Sequence, residues 1–571
     1  MALSLALPRF VALRTRYETE GQAVTKYVRF LHEDGDLHGF LRADGDEIVT
    51  PYTKFELEKA ESGDDSYHIR NCYNNKYLVI KEGTMWYIGG ADEPEEDASK
   101  SNCTVFFIRA LVGSNNYIIR PANLPHFFLH RATVSTVFDH RMLNCLHRFN
   151  GASTSYEIID FDSIIVLPKY ITLPNPGEGL YLSSRSLSGR QFLQFGSDDY
   201  LDTTTWFETF TTNDGGARIM CKSSNRFWRK DSTWVFADSS NSTGEDTLFW
   251  PVKTEGNAIA LRAWHNMYCH RHTANGMADC LALTANSIST NSLLHIEEAV
   301  RSREIYNVSF RTLDGRIYDF SKPLIVTQDV DNWSQQSTQD GELRFTYTET
   351  KSSRWDHLES WMVEASMSLS SKIPFLVQTT ISIGAGYEGS YTWGETEETS
   401  KEISTNLRVE VPPMTRTRVT MIVSKGAIDV PFSYTQRDTL YDYSTALTQK
   451  HDGIFTGVTT YVKYDIAEES LIAPKQSIAE ESLLAPKQSI TEESLIAPKQ
   501  SIAEESLLAP KQSITEESLI APKQSIAEES LLAPKQSITE ESLIAPKQSI
   551  AEESLLAPKQ SITEESLIAP N

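Results

Sequence analysis

The sequence predicts an all-β protein with three folded parts followed by a low-complexity tail. Short apolar and aromatic motifs recur about every 40 to 50 residues through the first 299 residues. Long runs of alternating apolar and polar residues then continue to about residue 465. Alternation with a period of two is typical of strands, and frequent motifs separated by Gly, Asn and Asp indicate short strands joined by turns.

The first half of the chain contains six copies of two interleaved motifs, which indicates internal repetition. The first motif is a small or polar residue, any residue, an aromatic residue and usually an apolar residue. Its copies are His38–Leu41, Asn75–Leu78, His126–Leu129, Gly179–Leu182, Asn225–Trp228 and Asn266–Cys269. The second motif lies near the end of each unit, at Phe55–Leu57, Val105–Phe107, Tyr156–Ile158, Phe207–Thr209, Leu248–Trp250 and Leu294–Ile296.

Three units of this size close naturally into a β-trefoil, in which each unit supplies aromatic side chains to a common core. Six units therefore predict two tandem β-trefoils, over residues 1–165 and 166–299. We expect the aromatic residues at the motif centres to be mostly core residues rather than sugar-stacking residues.

Composition and charge exclude some classes of function. The 571 residues carry a net charge of −24 and no cluster of Lys and Arg, which argues against a nucleic-acid partner. The first 20 residues lack a basic segment before a continuous apolar run, so we expect no conventional signal peptide. We accordingly expect a cytoplasmic or nucleocytoplasmic protein that reaches a target membrane only after release. The six cysteines form no CxxC pair, which favours buried free thiols over disulfides.

The sequence gives no indication of catalysis. It contains no HExxH, P-loop, GxSxG or dinucleotide-binding motif. The densest group of histidines is His126, His130, His140 and His147, and its spacing does not suit one helical metal-binding face. We therefore expect no enzymatic activity, no metal and no cofactor.

Residues 300–465 predict an elongated, mostly antiparallel β domain, with an amphipathic hairpin at about residues 360–398. One face of the hairpin is apolar, and small polar residues, mainly Ser, Thr and Gln, occupy the opposite face. We expect an apolar tip between the two arms. The apolar residues are Val363, Ala365, Met367 and Leu369 in the first arm, Ile373, Pro374, Phe375 and Leu376 at the tip, and Val377, Ile381 and Ile383 in the second arm.

The hairpin has the dimensions of a membrane-spanning strand pair. Each arm is roughly ten residues long, which at about 3.4 Å per residue matches a tilted strand across the hydrocarbon core. The uncharged polar face suits a water-filled lumen, while the apolar face is suitable for contact with lipid. The same pattern is also compatible with a long amphipathic hairpin in a soluble β-sandwich.

Several stretches of the first half resemble the amaranthin-type plant lectins. They are YHIRNCYNNKYLV (67–79), MWYIGGADEPEEDASKSNCTVF (85–106), YEIIDFDSIIVLPKYITL (156–173) and IMCKSSNRFWRKDSTWVFADSS (219–240). The resemblance implies tandem β-trefoils that pair head to tail, with a site for galactose or N-acetylgalactosamine where the first trefoil meets the second trefoil of a partner.

An Asn-x-Tyr-Trp stretch contributes to that sugar site in the family, and the matching place here is Thr84-Met85-Trp86-Tyr87. The two aromatic residues are present in swapped order, and a hydroxyl replaces the amide. The resemblance thus implies Thr84, Trp86 and Tyr87 as carbohydrate-binding residues. An exposed aromatic ring suits the apolar face of a pyranose, although burial of one of the two rings is an equal alternative.

Segments of the third part resemble the aerolysin-like β-pore-forming proteins, especially the natterin-like branch. They are SYTWGETEETSKEIS (390–404), VEVPPMTRTRVTMIV (409–423) and DVPFSY (429–434). The resemblance implies a homodimer or monomer that binds a surface, assembles into a ring and inserts one hairpin per subunit as a transmembrane β-barrel.

From Ile466 to Asn571 the sequence IAEESLIAPKQS repeats with a period of twelve. Each unit has a helix-capping pattern at its start and a proline at its ninth place, and its apolar residues form no helical stripe. We expect frayed short helices or disorder over 466–571, acting as a spacer or as a mask that delays assembly.

Together these features predict a carbohydrate-binding lectin that targets a glycosylated surface and forms a pore, in a defence role as an agglutinin or toxin. Its expected partners are Gal/GalNAc-type glycans on glycoproteins or glycolipids, the target membrane, and further copies of itself. The alternative is a soluble nucleocytoplasmic glycan-binding lectin whose β module serves assembly only.

Overall fold

Left-handed turns place five of the six repeated motifs at the starts of strands. In the computed structural model, Gly39 and Gly179 have φ of +85° and +67°, and Asn75, Asn225 and Asn266 lie between +52° and +57°. Gly and Asn adopt this backbone region with the least strain. The small or polar first half of these five motifs therefore supplies the turn, and the rest begins a strand. The structure describes residues 7–19, 21–63, 65–132, 141–175, 177–254, 256, 258–321, 323–357, 367–377, 380–391 and 393–471.

The predicted all-β class is confirmed, because strands make up nearly all the regular structure of the described residues. The strands of the N-terminal segment are β1 (Phe10–Thr19), β2 (Gln22–Phe30), β3 (Leu41–Gly45), β4 (Phe55–Lys59), β5 (Ser66–Asn71), β6 (Tyr77–Ile80), β7 (Tyr87–Ala91), β8 (Val105–Ala110), β9 (Asn116–Pro121), β10 (Phe128–Arg131), β11 (Leu143–Leu146) and β12 (Tyr156–Asp160). Ten of them form one sheet in the order β3-β2-β1-β12-β9-β8-β5-β6-β7, with β4 beside β1 and β5, and β10 pairs with β11.

The central segment forms a second sheet. Its strands are β13 (Tyr170–Thr172), β14 (Pro174–Asn175), β15 (Leu180–Leu187), β16 (Arg190–Ser197), β17 (Phe207–Thr211), β18 (Ala217–Cys221), β19 (Arg226–Asp231), β20 (Trp234–Ser239), β21 (Trp250–Lys253), β22 (Ala258–Arg262), β23 (Tyr268–Ala274), β24 (Met277–Ala285), β25 (Leu294–His295) and β26 (Glu297–Glu298). The division of the two segments into trefoils, with boundaries at residues 165 and 299, stays a prediction.

The third segment, which we call the β module, forms a sheet of longer strands. They are β27 (Val300–Phe310), β28 (Arg316–Tyr318), β29 (Leu324–Asn332), β30 (Gln339–His357), β31 (Met367–Val377), β32 (Thr380–Tyr391), β33 (Thr396–Val411), β34 (Thr415–Leu440) and β35 (Thr445–Ser470). The order is β32-β31-β27-β34-β35-β30-β33, and both β28 and β29 pair with β34. Short 3-10 helices lie at Gly151–Ser153, Phe161–Ser163, Thr203–Thr205, Glu245–Thr247, Trp264–Asn266, Thr290–Ser292 and Thr312–Asp314.

The fourth residue of the first motif, rather than the aromatic third, supplies the core. The fourth residues are fully buried in all six copies, namely Leu41, Leu78, Leu129, Leu182, Trp228 and Cys269. Of the central aromatic residues, Phe40 and Tyr77 are buried, whereas Phe128, Tyr181, Phe227 and Tyr268 are only half-buried. The expectation of mostly core aromatics is therefore wrong for four of six copies. Neighbouring residues of a strand point to opposite faces, so only one of the two can face the core.

The second motif also supplies core residues in every copy. Its buried members are Phe55, Phe106, Tyr156, Phe207, Phe249 and Leu294, each at most 1% exposed. They lie in the two large apolar clusters of the N-terminal and central segments. The six cysteines are unpaired, and five of them are buried. Burial raises the pKa of Cys269 to about 12 and that of Cys145 to about 11, which keeps both thiols protonated.

The start of the repeat tail is a strand, so the expectation of frayed helix or disorder is wrong for Ile466–Ser470. These five residues end β35 and pair with Thr415–Val419 of β34. Arg418 forms an ion pair with Glu469 at 2.9 Å, which places one repeat glutamate beside a cation of the module. The ladder satisfies the backbone groups of the first half-unit, which an isolated short helix leaves open. Residues 472–571 lie outside the described part.

No helix in the described part of the chain is long and apolar enough to cross a membrane.

Candidate functional site

The predicted sugar-binding stretch is a tight turn between β6 and β7. Thr84 Oγ1 donates a hydrogen bond to the carbonyl of Lys81 at 2.8 Å and accepts one from the backbone N–H of Trp86 at 3.2 Å. The backbone N–H of Lys81 donates to the carbonyl of Trp86, which closes the turn. Thr84 thus holds the turn through its hydroxyl, and it retains acceptor capacity for one further hydrogen bond.

Trp86 lies just before β7 and Tyr87 begins it, and the two have different surroundings because neighbouring residues of extended backbone point to opposite sides. Trp86 is half-buried and packs at the edge of a small cluster around Leu31, Phe40 and Met142. Tyr87 is 0% exposed, and its hydroxyl lies 3.0 Å from Cys145 Sγ. Burial is the main cause that raises the pKa of Tyr87 well above its ordinary value. The prediction that Tyr87 contacts sugar is therefore wrong, since a core ring has no access to a glycan.

The β31–β32 hairpin pairs continuously from Met367–Tyr391 to Val377–Thr380, with a bulge between Lys372 and Pro374. The connection between the strands therefore falls between Val377 and Thr380. Pro374, Phe375 and Leu376 lie within the ladder and Ile373 at its bulge, all inside β31 rather than at an apolar tip, so the predicted tip is wrong. Val363 and Ala365 lie outside the described residues, and of Met367 only the backbone is described.

The bulge changes which residues share a face. Cross-strand partners in an antiparallel ladder point to the same side, so Leu376 with Ile381 and Pro374 with Ile383 define one face. Val377 pairs with Thr380 on the opposite face, so it does not share the apolar face predicted for it. An extra residue in one strand reverses the alternation beyond it, which a strict period of two does not anticipate.

The apolar face of the hairpin packs against the rest of the β module. Leu369 and Leu376 are 2% and 1% exposed, within a cluster that includes Ile428 and Phe432. Ile373 and Ile381 lie at the edge of that cluster. The ladder to β27 is short and parallel, with Glu304–Ser368 and Ile305–Leu369 as its paired residues. The hairpin is thus held mainly by apolar packing and by few backbone pairs.

A polar seam joins the N-terminal segment to the β module. Asp314, whose side chain is 2% exposed, lies 2.6 Å from His38 Nε2 and accepts a hydrogen bond from the Tyr73 hydroxyl at 3.1 Å. Asp429, also 2% exposed, accepts from Asn75 Nδ2 at 3.0 Å and from the Thr456 hydroxyl at 2.8 Å. Turn residues of the first two repeat units therefore satisfy two buried carboxylates of the module.

Arginines of the module extend the same seam. Arg311 donates to the carbonyl of His32 at 3.0 Å and to Asp34 at 2.9 Å, and Arg316 Nε donates to the carbonyl of Asp92 at 2.6 Å. Sequence reasoning missed the seam, because its partners are separated by 224 to 354 positions and no local pattern marks them.

An open pocket of about 140 Å³ lies at the seam, next to the predicted sugar-binding turn. Lys81 and Ile88 line this pocket together with His38 and Asp314. Ile88 also packs in the cluster that holds Trp86. One packed side chain therefore separates the candidate sugar-binding tryptophan from the contact between the two parts.

Residues 12–156 match the model of the Agglutinin domain family. The N-terminal segment is therefore similar to an agglutinin domain, and the match covers about a quarter of the chain. No curated protein matches the sequence. Glycan recognition is the activity that this domain family suggests, and the turn at Thr84 and Trp86 lies inside the matched range.

Comparison with solved structures gives three likenesses of low overall similarity. The crystal structure of lamprey immune protein has 16% identity, covers 62% of this chain and 87% of its own, and superposes with a TM-score of 0.26. A mosquitocidal holotoxin has 14% identity, 54% and 37% coverage, and a TM-score of 0.25. The designed threefold-symmetric protein ThreeFoil has 14% identity, 22% and 97% coverage, and a TM-score of 0.20. This chain spans little more than a third of the holotoxin.

Proposed function

We propose that the protein is a lectin that binds Gal/GalNAc-type glycans through its agglutinin domain and then assembles into a membrane pore through the β31–β32 hairpin. The observation that carries the proposal is the hairpin's attachment. The apolar face of the hairpin packs against Ile428 and Phe432, while its backbone pairs with the rest of the sheet through a short parallel ladder with β27. Release of such a hairpin costs few hydrogen bonds and exposes a face already suited to lipid.

The proposed order of events starts with sugar. Trp86 presents the part of its ring that is not packed, and Thr84 contributes a hydroxyl acceptor beside it. Several subunits on one surface gain avidity, which brings the hairpins together. Isolated hairpins have open edges, whereas a closed ring pairs every edge, so insertion requires assembly. The protein acts without catalysis or cofactor, and it meets its target membrane only after release from the cell that makes it.

The test is dye leakage from liposomes with and without a glycolipid that ends in galactose or N-acetylgalactosamine. We expect leakage that requires the glycolipid and that free galactose inhibits. Leakage independent of glycolipid would contradict the lectin step. Glycolipid binding with no leakage in any lipid mixture would instead support the alternative, in which the β module serves assembly only.

The membrane step has its own readout. Cross-linking of the liposome-bound protein resolves ring assembly from monomeric binding, because a pore requires several subunits while sugar binding does not. We expect an oligomer resistant to mild detergent only where leakage occurs. A monomer in leaking liposomes would contradict the ring.

A further inference from the structure

Two arginines of the N-terminal segment, Arg131 and Arg141, lie close together and have no acidic partner among the described residues. Arg131 follows the buried Leu129 by two residues on β10, and it is 6% exposed. Its guanidinium carbon lies 4.2 Å from the centre of the Tyr17 ring, and that of Arg141 lies 5.9 Å from the same ring. Tyr156, which is 0% exposed, interacts electrostatically with Arg131. We call these residues, together with Thr15, the arginine cluster.

Every member of the arginine cluster has a buried polar atom that finds no hydrogen-bond partner in the described part of the chain. These atoms are the Nε atoms of Arg131 and Arg141 and the side-chain hydroxyls of Thr15, Tyr17 and Tyr156. Thr15 and Tyr17 lie two apart on β1, so they point to the same side of the strand. Within the described residues, neither arginine forms a hydrogen bond or an ion pair to a carboxylate.

The other deeply buried arginines among the described residues, Arg303 and Arg316, have hydrogen-bond acceptors. Arg303, with a side chain 5% exposed, donates to Asp438 through both Nε, at 2.7 Å, and Nη2, at 3.0 Å, and also pairs with Glu298. Arg316, 7% exposed, donates to a backbone carbonyl and lies 3.7 Å from Asp429. Burial of an unpaired cation is unfavourable, so the fold normally provides an acceptor. The arginine cluster is the exception among these.

The lowered pKa of Arg131 agrees with its buried position beside a second cation. Burial is the first cause that lowers the pKa of Arg131, and the positive charge of Arg141 lowers it further. A second cation beside a buried one raises the cost of both charges. A ligand with negative charge at this position removes that cost.

We propose that the arginine cluster binds a tetrahedral oxyanion, the sulfate or phosphate group of a small molecule or of a glycan ester. Planar guanidinium groups bind tetrahedral oxyanions through paired N–H donors, and two of them can neutralise one or two negative charges. The hydroxyls of Tyr17, Tyr156 and Thr15 provide further donors at the same place. The chain's net charge of −24 disfavours long polyanions, so a single oxyanion group fits better than a nucleic acid.

The ligand enters from the side of Tyr17 and Arg141, because these two residues are half-buried while Arg131 and Tyr156 are enclosed. The site is independent of the turn at Thr84 and of the β31–β32 hairpin. A result that disproves oxyanion binding by the arginine cluster therefore leaves pore formation untouched, and a result that disproves pore formation leaves oxyanion binding untouched.

The experiment is calorimetric titration of the full chain with sodium sulfate, against sodium chloride of equal ionic strength. We expect saturable binding and, at a sulfate concentration about a hundredfold above Kd, a rise of about 5 to 10 °C in the Tm of the N-terminal segment. Sulfate stabilises many proteins at high concentration without a site. Saturation and the variants below separate the two effects.

Arg131→Gln removes the enclosed guanidinium, and we expect it to abolish saturable binding. Arg226→Gln is the matched control, because Arg226 is an exposed arginine at a strand start in the central segment. If Arg131→Gln does not fold, Arg141→Gln replaces it, with an expected loss of at least about tenfold in affinity. Equal sulfate binding by wild type and either cluster variant, or no saturable binding by wild type, would overturn the proposal.

A comparison of ligands identifies the source of the anion. Inorganic sulfate, inorganic phosphate, galactose 6-sulfate and plain galactose are titrated in parallel. Tighter binding of the sulfated sugar than of inorganic sulfate supports a glycan ester, and equal binding supports a free anion. Binding of plain galactose that Arg131→Gln abolishes would contradict the oxyanion as the recognised group.

Discussion

Ile383 offers a sharp test of membrane insertion, because the soluble fold barely uses it. Its side chain is 40% exposed, so Ile383→Lys changes an exposed position, and the free energy of unfolding shifts by no more than about 0.5 kcal/mol. In an inserted hairpin the same residue shares a face with Leu376 and Ile381 and points to lipid. A lysine on the lipid face costs about 2 kcal/mol per subunit, or about 30-fold in each subunit's insertion equilibrium.

The matched control is Ser382→Lys, one residue away on the opposite face, where Ser382 pairs with Phe375. A lysine there points to the lumen and carries a much smaller penalty. The assay is glycolipid-dependent liposome leakage, with the thermal unfolding midpoint and glycan binding measured on the same preparations. We expect Ile383→Lys to abolish leakage and Ser382→Lys to retain it, with both variants folded and sugar-binding. Full leakage by Ile383→Lys, or equal loss in both variants, would refute the assignment of faces.

Three further outcomes test the N-terminal segment. Trp86→Ala should weaken glycan binding on a glycan array with little change in the unfolding midpoint, whereas Tyr87→Phe should leave glycan binding unchanged and cost about 1 kcal/mol of stability through its lost hydroxyl contact; a reversal of the two effects would contradict their assignment to surface and core. Asp314→Ala should destabilise the chain by about 1 to 3 kcal/mol in urea unfolding, because His38 loses its partner across the seam. An unchanged urea midpoint would show that the seam contributes nothing to the stability of the fold. Burial is the main cause that lowers the pKa of His130. As the pH drops below about 6.5, the ordinary histidine value, the unfolded chain therefore takes up a proton first and the stability of the fold decreases. His130→Gln should reduce this dependence of stability on pH, and an unchanged dependence would show that His130 does not cause it.

The sequence predicted the all-β class because turn-forming Gly and Asn recur with the motifs and leave only short strands between them. It could not separate the aromatic from the following apolar residue as the core member, as Phe128 and Leu129 show. Both are apolar, and only the pairing of β10 with β11 decides which one faces inward. Periodicity located the hairpin, but the ladder continues beyond the predicted tip as far as Val377 and contains a bulge at Lys372 and Pro374.

The candidate site was predicted in part for similar reasons. The resemblance located the turn at Thr84, but the start of β7 places Tyr87 in the core and leaves Trp86, just before the strand, at the surface edge. Arg131 gave no signal in the sequence, since its environment is assembled from β1, β10 and β12. Contacts between distant segments depend on tertiary packing, which residue patterns do not encode locally.

The seam at Asp314 and Asp429 limits how this protein can be recombined. An excised β module would uncover Asp314 and Asp429 and lose the donors that His38, Tyr73 and Asn75 supply. A chimera with a different N-terminal segment would need hydrogen-bond donors at the same three places. The two sides of the junction are therefore complementary, and an exchange of the N-terminal segment requires changes on both sides together. The N-terminal segment is in this sense a structural component of the module.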